Sequence, residues 1–89
     1  MEREIKEKLK KIVLKITRRP DAKFNDKTTL KELDADSLDR VQILVALEEE
    51  FEIEMPDDEI ADIKDMRGFI MYIKQKISEK NAKPIGSNQ

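Results

Sequence analysis

Ile5, Leu9, Ile12, Val13 and Ile16 recur at i, i+4, i+7, i+8 and i+11, a spacing that draws one apolar stripe along a helix of about four turns. Met66, Phe69, Ile70, Ile73 and Ile77 form a similar stripe near the other end, on a helix closing with Lys74, Lys76 and Lys80, whose charges suit the negative end of a helix dipole. Each stripe has to be buried against another element. In a chain of 89 residues with no cysteine to form a disulfide, that means helices packed around a single small core.

The stretch from Ser37 to Phe51 is the third long helix. Plotted at about 100° per residue it carries two apolar rows: Ile43, Leu44, Leu47 and Phe51 on one side, and Leu38, Val41 and Val45 on the other, beside Glu48 and Glu49. A helix in a small bundle gives one side to the core, so the second row is expected to be at least partly exposed. An apolar strip rimmed by carboxylates has the make-up of a transient docking surface, with apolar contact for affinity and charge for steering.

Pro56 ends the acidic run after this helix, and Asp57, Asp58 and Glu59 open a short helix of about two turns holding Ile60 and Ile63. Arg18 to Asp36, with Pro20 and Asn25-Asp26 and no sustained period, reads as a loop of nineteen residues. Phe24, Leu30 and Leu33 can pin it to the bundle by burying their side chains. The expected fold is therefore all-α: a four-helix bundle with three longer helices, one short third helix and a long loop between helices one and two. Residues 1–80 form the domain, and residues 81–89, with Pro84 and Gly86, are expected to be a disordered tail.

The net charge of −2 conceals an asymmetry. Residues 1–19 hold eight Lys/Arg against three Glu, whereas residues 32–65 hold two Lys/Arg against fourteen Asp/Glu. The acidic segment repels nucleic acid and anionic lipid and steers toward basic partners. On the basic first helix, Glu2, Glu4 and Glu7 interleave with the lysines and aromatics are absent, which argues for a solvated face and against an RNA-binding or membrane-surface helix. The N-terminal MEREIKEKLKK has no apolar run long enough for a signal peptide or membrane span, so a soluble cytoplasmic protein without membrane insertion is expected.

Within the acidic segment, Leu33-Asp34-Ala35-Asp36-Ser37-Leu38-Asp39 delivers one hydroxyl to the start of a helix. Ser37 can cap that helix, and a phosphate esterified to its oxygen would sit at the positive end of the dipole. The plain alternative is that Asp36 or Ser37 is an N-cap and nothing more. Calcium binding fails on spacing: an EF-hand loop starting at Asp34 would need an oxygen ligand, a glycine and a glutamate where the chain has Leu38, Asp39 and Val45. No metal site is expected. Hydrolase chemistry on Ser37 lacks a nucleophile elbow, and the chain has no histidine to deprotonate the hydroxyl, so the chain is read as a non-enzyme.

The run LDADSLDRVQILVALEEEF, Leu33 to Phe51, strongly resembles the acyl carrier protein family, and the likeness continues through Ile53 to Pro56, Ile63 and Phe69 to Ile73. The resemblance implies that Ser37 carries 4'-phosphopantetheine, transferred from coenzyme A by a holo-synthase, a phosphopantetheinyl transferase, with Asp36 and Leu38 flanking the attachment point. Acyl groups would ride as thioesters on the arm for fatty-acid or a specialised lipid or polyketide-type synthesis, which suits a chain with no thiol of its own. It also implies that the face bearing Asp39, Val41, Val45, Glu48 and Glu49 is read by acyl-transferring, condensing or ligating enzymes with basic docking patches, the carrier itself being a monomer. A small core of branched and flexible side chains, Ile43, Leu44, Leu47, Ile63, Met66, Phe69 and Ile73, could part to admit an acyl chain.

Three positions depart from the family's pattern: Asp34 stands where glycine is usual, and Arg40 and Gln42 where a neutral residue and an acid are frequent. The first matters if that backbone needs positive φ, which aspartate tolerates less readily than glycine. The other two make the docking face less negative. Two other readings stay open: an unmodified helical interaction domain docking through Leu38, Val41 and Val45, and an aminoacyl or peptidyl carrier, against which Asp36 speaks because those carriers more often show glycines or histidine before the serine.

Overall fold

The first apolar stripe lands in the core, although not at every position its spacing marks. In the computed structural model, which describes residues 1–82, helix α1 spans Glu2–Ile16 and buries Ile5, Leu9 and Val13 together with Leu14, leaving Ile12 and Ile16 half-buried. Leu14 is drawn in by the way α1 ends. Arg18 takes a left-handed conformation at φ 61°, the Arg19 N–H donates to the Leu14 carbonyl at 2.9 Å, and the Arg18 N–H donates to that of Lys15 at 3.1 Å. This paired closure satisfies the last carbonyls and folds the chain back over the helix end.

Helix α2 runs Ser37–Phe51, α3 Asp57–Ile60 and α4 Met66–Ala82, with α1 packed against both α2 and α4. The all-α bundle with three longer helices, a short third and a long first loop is thus the observed architecture. Helix α3 is shorter than its sequence suggests. It makes one turn and stops at Ile60; Ile63 follows in a turn, its N–H donating to the Ile60 carbonyl at 3.0 Å, because Asp65 then caps a new helix. Helix α4 carries through Ala82, so Asn81 and Ala82 are helical where the tail was expected to begin, and residues 83–89 of that tail lie outside the described residues.

The long loop is built into the bundle. Leu30 and Leu33 are buried and Phe24 packs on the core, while the loop's backbone finishes the start of α4: the Met66 N–H donates to the Thr28 carbonyl at 2.9 Å and that of Arg67 to the Asp26 carbonyl at 2.8 Å. The Asp65 carboxylate takes the Gly68 N–H at 2.9 Å. Three of the four amide donors that any helix leaves open at its N-terminus are thereby satisfied. At the opposite end, Lys80 donates to the carbonyls of Phe51 and Glu52 at 3.3 and 3.1 Å, tying α4 to the last turn of α2.

The core draws on every element: Leu9 and Val13 from α1, Ile43 and Leu47 from α2, Ile60 from α3, and Met66, Phe69 and Ile73 from α4, none more than 1% exposed. No helix among the described residues is long and apolar enough to cross a membrane.

Candidate functional site

Asp36, and not Ser37, caps α2. The Asp36 carboxylate accepts the Asp39 N–H at 2.8 Å, and the Asp39 carboxylate reaches back to the Asp36 N–H at a longer 3.4 Å, a reciprocal capping box. Ser37 is therefore the first helical residue, exposed, and its hydroxyl has no hydrogen-bond partner among the described residues. With the Asp39 and Arg40 N–H groups taken by the side chain and carbonyl of Asp36, the N–H groups of Ser37 and Leu38 have no partner among the described residues and lie at the positive end of the helix. An exposed hydroxyl beside two open amides is compatible with an anionic substituent, whose charge would face the positive end of the helix.

The loop before Ser37 is held from behind. Asp34 sits at φ 57°, the left-handed region that favours glycine. Arg19 secures it: its Nε donates to the Leu33 carbonyl at 2.9 Å and its Nη2 to the Asp34 carboxylate at 2.6 Å. The Asp34 and Ala35 N–H groups close onto the carbonyls of Lys31 and Leu30, each at 3.0 Å. Asp34 thus fills the glycine position with a left-handed aspartate clamped by an arginine.

The two rows of α2 separate as expected. Ile43, Leu44 and Leu47 are buried and Phe51 is half-buried, whereas Leu38, Val41 and Val45 are 63, 55 and 46% exposed. The carboxylates beside the exposed row are not equivalent. Glu49 is exposed and has no partner among the described residues, but Asp39 is half-buried in the capping box and Glu48 accepts the Met55 N–H at 2.8 Å, holding the turn after α2. Arg40 leaves the docking face altogether: its Nη2 donates to the Ile60 carbonyl at 3.1 Å, and its guanidinium lies 5.9 Å from the centre of the Phe69 ring.

Ser37 borders a groove of about 650 Å³ between α2, α3 and the loop, floored by Leu30, Leu44, Ile60 and Ile63. Of the residues expected to admit an acyl chain, Leu44 and Ile63 line it. Ile43, Leu47, Met66, Phe69 and Ile73, none above 1% exposed, belong to the closed core and not to the groove. Leu30 and Ile60 were missed because they come from the loop and the one-turn helix, where no periodicity points at Ser37. Gly68 makes room for one wall: a Cβ there would lie 2.8 Å from the Ile63 Cγ2.

Helix α3, a wall of this groove, is fastened at both sides. Arg40 holds its last carbonyl, and Glu59 accepts hydrogen bonds from the Tyr72 hydroxyl and, at 3.2 Å, pairs with Lys76. The Tyr72 hydrogen bond, followed by that of Lys76, holds the Glu59 carboxyl below the usual carboxylate range; burial, with Glu59 opposite, pushes the Tyr72 hydroxyl up.

Residues 7–73 match the family described as "Phosphopantetheine attachment site". The chain is similar to an acyl carrier protein of Buchnera aphidicola subsp. Acyrthosiphon pisum (strain Tuc7), with 40% identity over 77 residues that cover 85% of this chain and 96% of the relative. It is likewise similar to the acyl carrier protein of Thermosynechococcus vestitus, with 37% identity over 76 residues covering 84% and 94%.

Proposed function

The chain belongs to the acyl carrier protein family, whose members are carriers bearing covalent 4'-phosphopantetheine and not enzymes, and from that premise we propose that Ser37 is the residue that bears the arm. The observation that carries this reading is the Ser37 hydroxyl, exposed and unengaged at the first position of α2 because Asp36 does the capping. The surroundings fit the group: the open N–H groups of Ser37 and Leu38 suit its phosphodiester, and the adjoining groove suits an apolar chain. When bound, the arm supplies the thiol on which acyl groups are held as thioesters. The protein's own part is to present the hydroxyl on the first turn of α2, held still by the capping box and by Arg19 on the preceding loop, and to offer the groove as shelter.

Within that reading, a holo-synthase loads the arm from coenzyme A, and acyl-transferring, condensing or ligating enzymes dock through Leu38, Val41 and Val45. Basic patches on those enzymes meet Glu49 and the acidic rim. Asp39 and Glu48 serve this face mainly by holding its backbone. We assign the protein to the cytoplasm as a monomer working in fatty-acid or specialised lipid or polyketide-type synthesis.

Trypsin offers a direct test, since cleavage after Lys31 and Arg40 releases residues 32–40, in which Ser37 is the one hydroxyl-bearing residue. After incubation with coenzyme A and a broad-specificity transferase, that peptide is expected to carry the added mass. An unmodified peptide would favour an interaction domain that docks through the exposed row without an arm.

A further inference from the structure

Helix α1 is tied to its neighbours along its flanks. Lys8 pairs with Glu50 of α2 and Lys6 with Asp26 of the first loop, both at 3.1 Å, and Glu2 takes Lys74 and Arg67 of α4 at 2.9 and 3.1 Å. The glutamates that interleave with the lysines belong to the first half of the helix, where Glu7 lies 3.8 Å from Arg3. Past Glu7 no acid occurs before Asp21. Lys10, Lys11, Lys15 and Arg18 stand exposed on the side turned away from Ile5, Leu9 and Val13, with no ion pair among the described residues. Lys11 and Lys15 are four apart, and Lys15 and Arg18 three, spacings at which like charges on a helix repel. The helix dipole favours cations only in the last turn, so it accounts for Lys15 and Arg18 but not for Lys10 and Lys11.

These four cations border a shallow depression of about 550 Å³, whose floor is Leu14 and Pro20, where the chain folds back over the end of α1. Glu7 is the one carboxylate lining it; Asp21, next to Pro20, does not. Other unpaired cations lack this setting. Lys23 and Lys27 share their depression with Glu32, and Lys31 shares its own with Asp34 and Asp36.

A recess with an apolar floor and a rim of long basic side chains suits an apolar group carried between anions. A bilayer surface is too flat to enter it, and a nucleic acid would lack aromatic rings to stack on. We propose that this face of α1 docks an acidic segment of a partner protein, with an apolar side chain such as leucine seated on Leu14 and Pro20. Carboxylates on either side of that side chain pair with Lys10, Lys11, Lys15 and Arg18. Such a partner is opposite in sign to the basic enzymes that read α2, and no residue of α2 lines the depression. The carrier can therefore be held by α1 while Ser37 stays free, and the site stands whether or not Ser37 carries the arm.

The test titrates the isotope-labelled full chain with a blocked synthetic peptide in which two leucines lie between pairs of glutamates. Amide shifts are expected at Lys10, Lys11, Leu14, Lys15 and Arg18 and not at Leu38, Val41 or Val45, with binding that weakens as salt is added. The double variant Lys11→Glu, Lys15→Glu should bind about tenfold more weakly, and Lys23→Glu, Lys27→Glu within about twofold of the parent. All four positions are exposed, so both proteins should keep the parent's circular dichroism; if the first does not, Lys11→Gln, Lys15→Gln replaces it, with a smaller loss expected. Peptides with glutamine for glutamate, or alanine for leucine, should bind more weakly than the first. Equal binding of either control peptide, equal loss in the two double variants, or no shifts on α1 at millimolar peptide would overturn the proposal. So would preferential binding to phosphatidylglycerol vesicles, which would make the patch a lipid-facing surface instead.

Discussion

The Arg19 guanidinium bridges two consecutive residues of the first loop, binding the Leu33 carbonyl and the Asp34 carboxylate, and so braces a left-handed residue three positions before Ser37. A left-handed L-residue costs roughly 1–2 kcal/mol, less for aspartate, and an exposed ion pair returns about 0–1 kcal/mol. Asp34→Gly is therefore expected to leave stability within about 1 kcal/mol of the parent, since relief of strain offsets the lost contact. Asp34→Ala, which keeps the strain and loses the contact, should melt clearly lower. Thermal unfolding of the three proteins decides it, and equal melting of the alanine and glycine variants would mean that the backbone at Asp34 is not under strain.

The capping box assigns different costs to neighbouring residues. Asp36→Ala should cost on the order of 1 kcal/mol, as loss of an N-cap does. Ser37→Ala should change stability by no more than a few tenths, alanine being the better helix former at a position whose hydroxyl is unengaged (about 0.5 kcal/mol at most). Chemical denaturation reads both, and a larger loss in Ser37→Ala would show that the serine supports the helix after all.

On the exposed row, Val45→Asp and Glu49→Lys should weaken interaction with the modifying enzyme while leaving the melting temperature nearly unchanged. Glu48→Lys should lose stability as well, because it strips the acceptor from the Met55 N–H. Transferase kinetics set beside melting curves separate the two effects. Intact kinetics in both Val45→Asp and Glu49→Lys would place docking elsewhere.

Acid should loosen the α3 wall. The Glu59 carboxyl is held below its ordinary 4.5 by Tyr72 and then Lys76, and that of Glu2 by Lys74 and then Arg67. A depressed folded value means that the contribution is complete above the unfolded value and is lost as the pH falls through the folded one. The Tyr72 hydroxyl is raised above its ordinary 10.0, so its contribution is complete below that value and is lost as the pH rises toward the folded one. Tyr72→Phe should therefore flatten part of the decline in melting temperature between about pH 5 and pH 3. Parallel profiles for parent and variant would show that this hydrogen bond does not hold the Glu59 carboxyl down.

How far the residues foretold this structure depended on whether a signal was local. The period of α2 placed Ile43, Leu44 and Leu47 inward and Leu38, Val41 and Val45 outward, because a one-sided environment sorts a helix by angle alone. The cap slipped by one residue, since Asp36 and Ser37 are both cap-forming types and which one turns inward depends on Asp39. Ile60 and Ile63, at i and i+3, read as one helix, yet a terminating turn and the Asp65 cap intervene. The groove was the least legible part: Leu30, Lys31, Ile60 and Lys64 come from separate segments that only the fold brings to Ser37.

The most direct measurement is the intact mass of parent and Ser37→Ala after incubation with coenzyme A and a broad-specificity transferase, with circular dichroism to show that both remain helical. The parent is expected to gain the mass of one phosphopantetheine and the variant none. A folded Ser37→Ala protein that still gains that mass would contradict the assignment of the arm to Ser37.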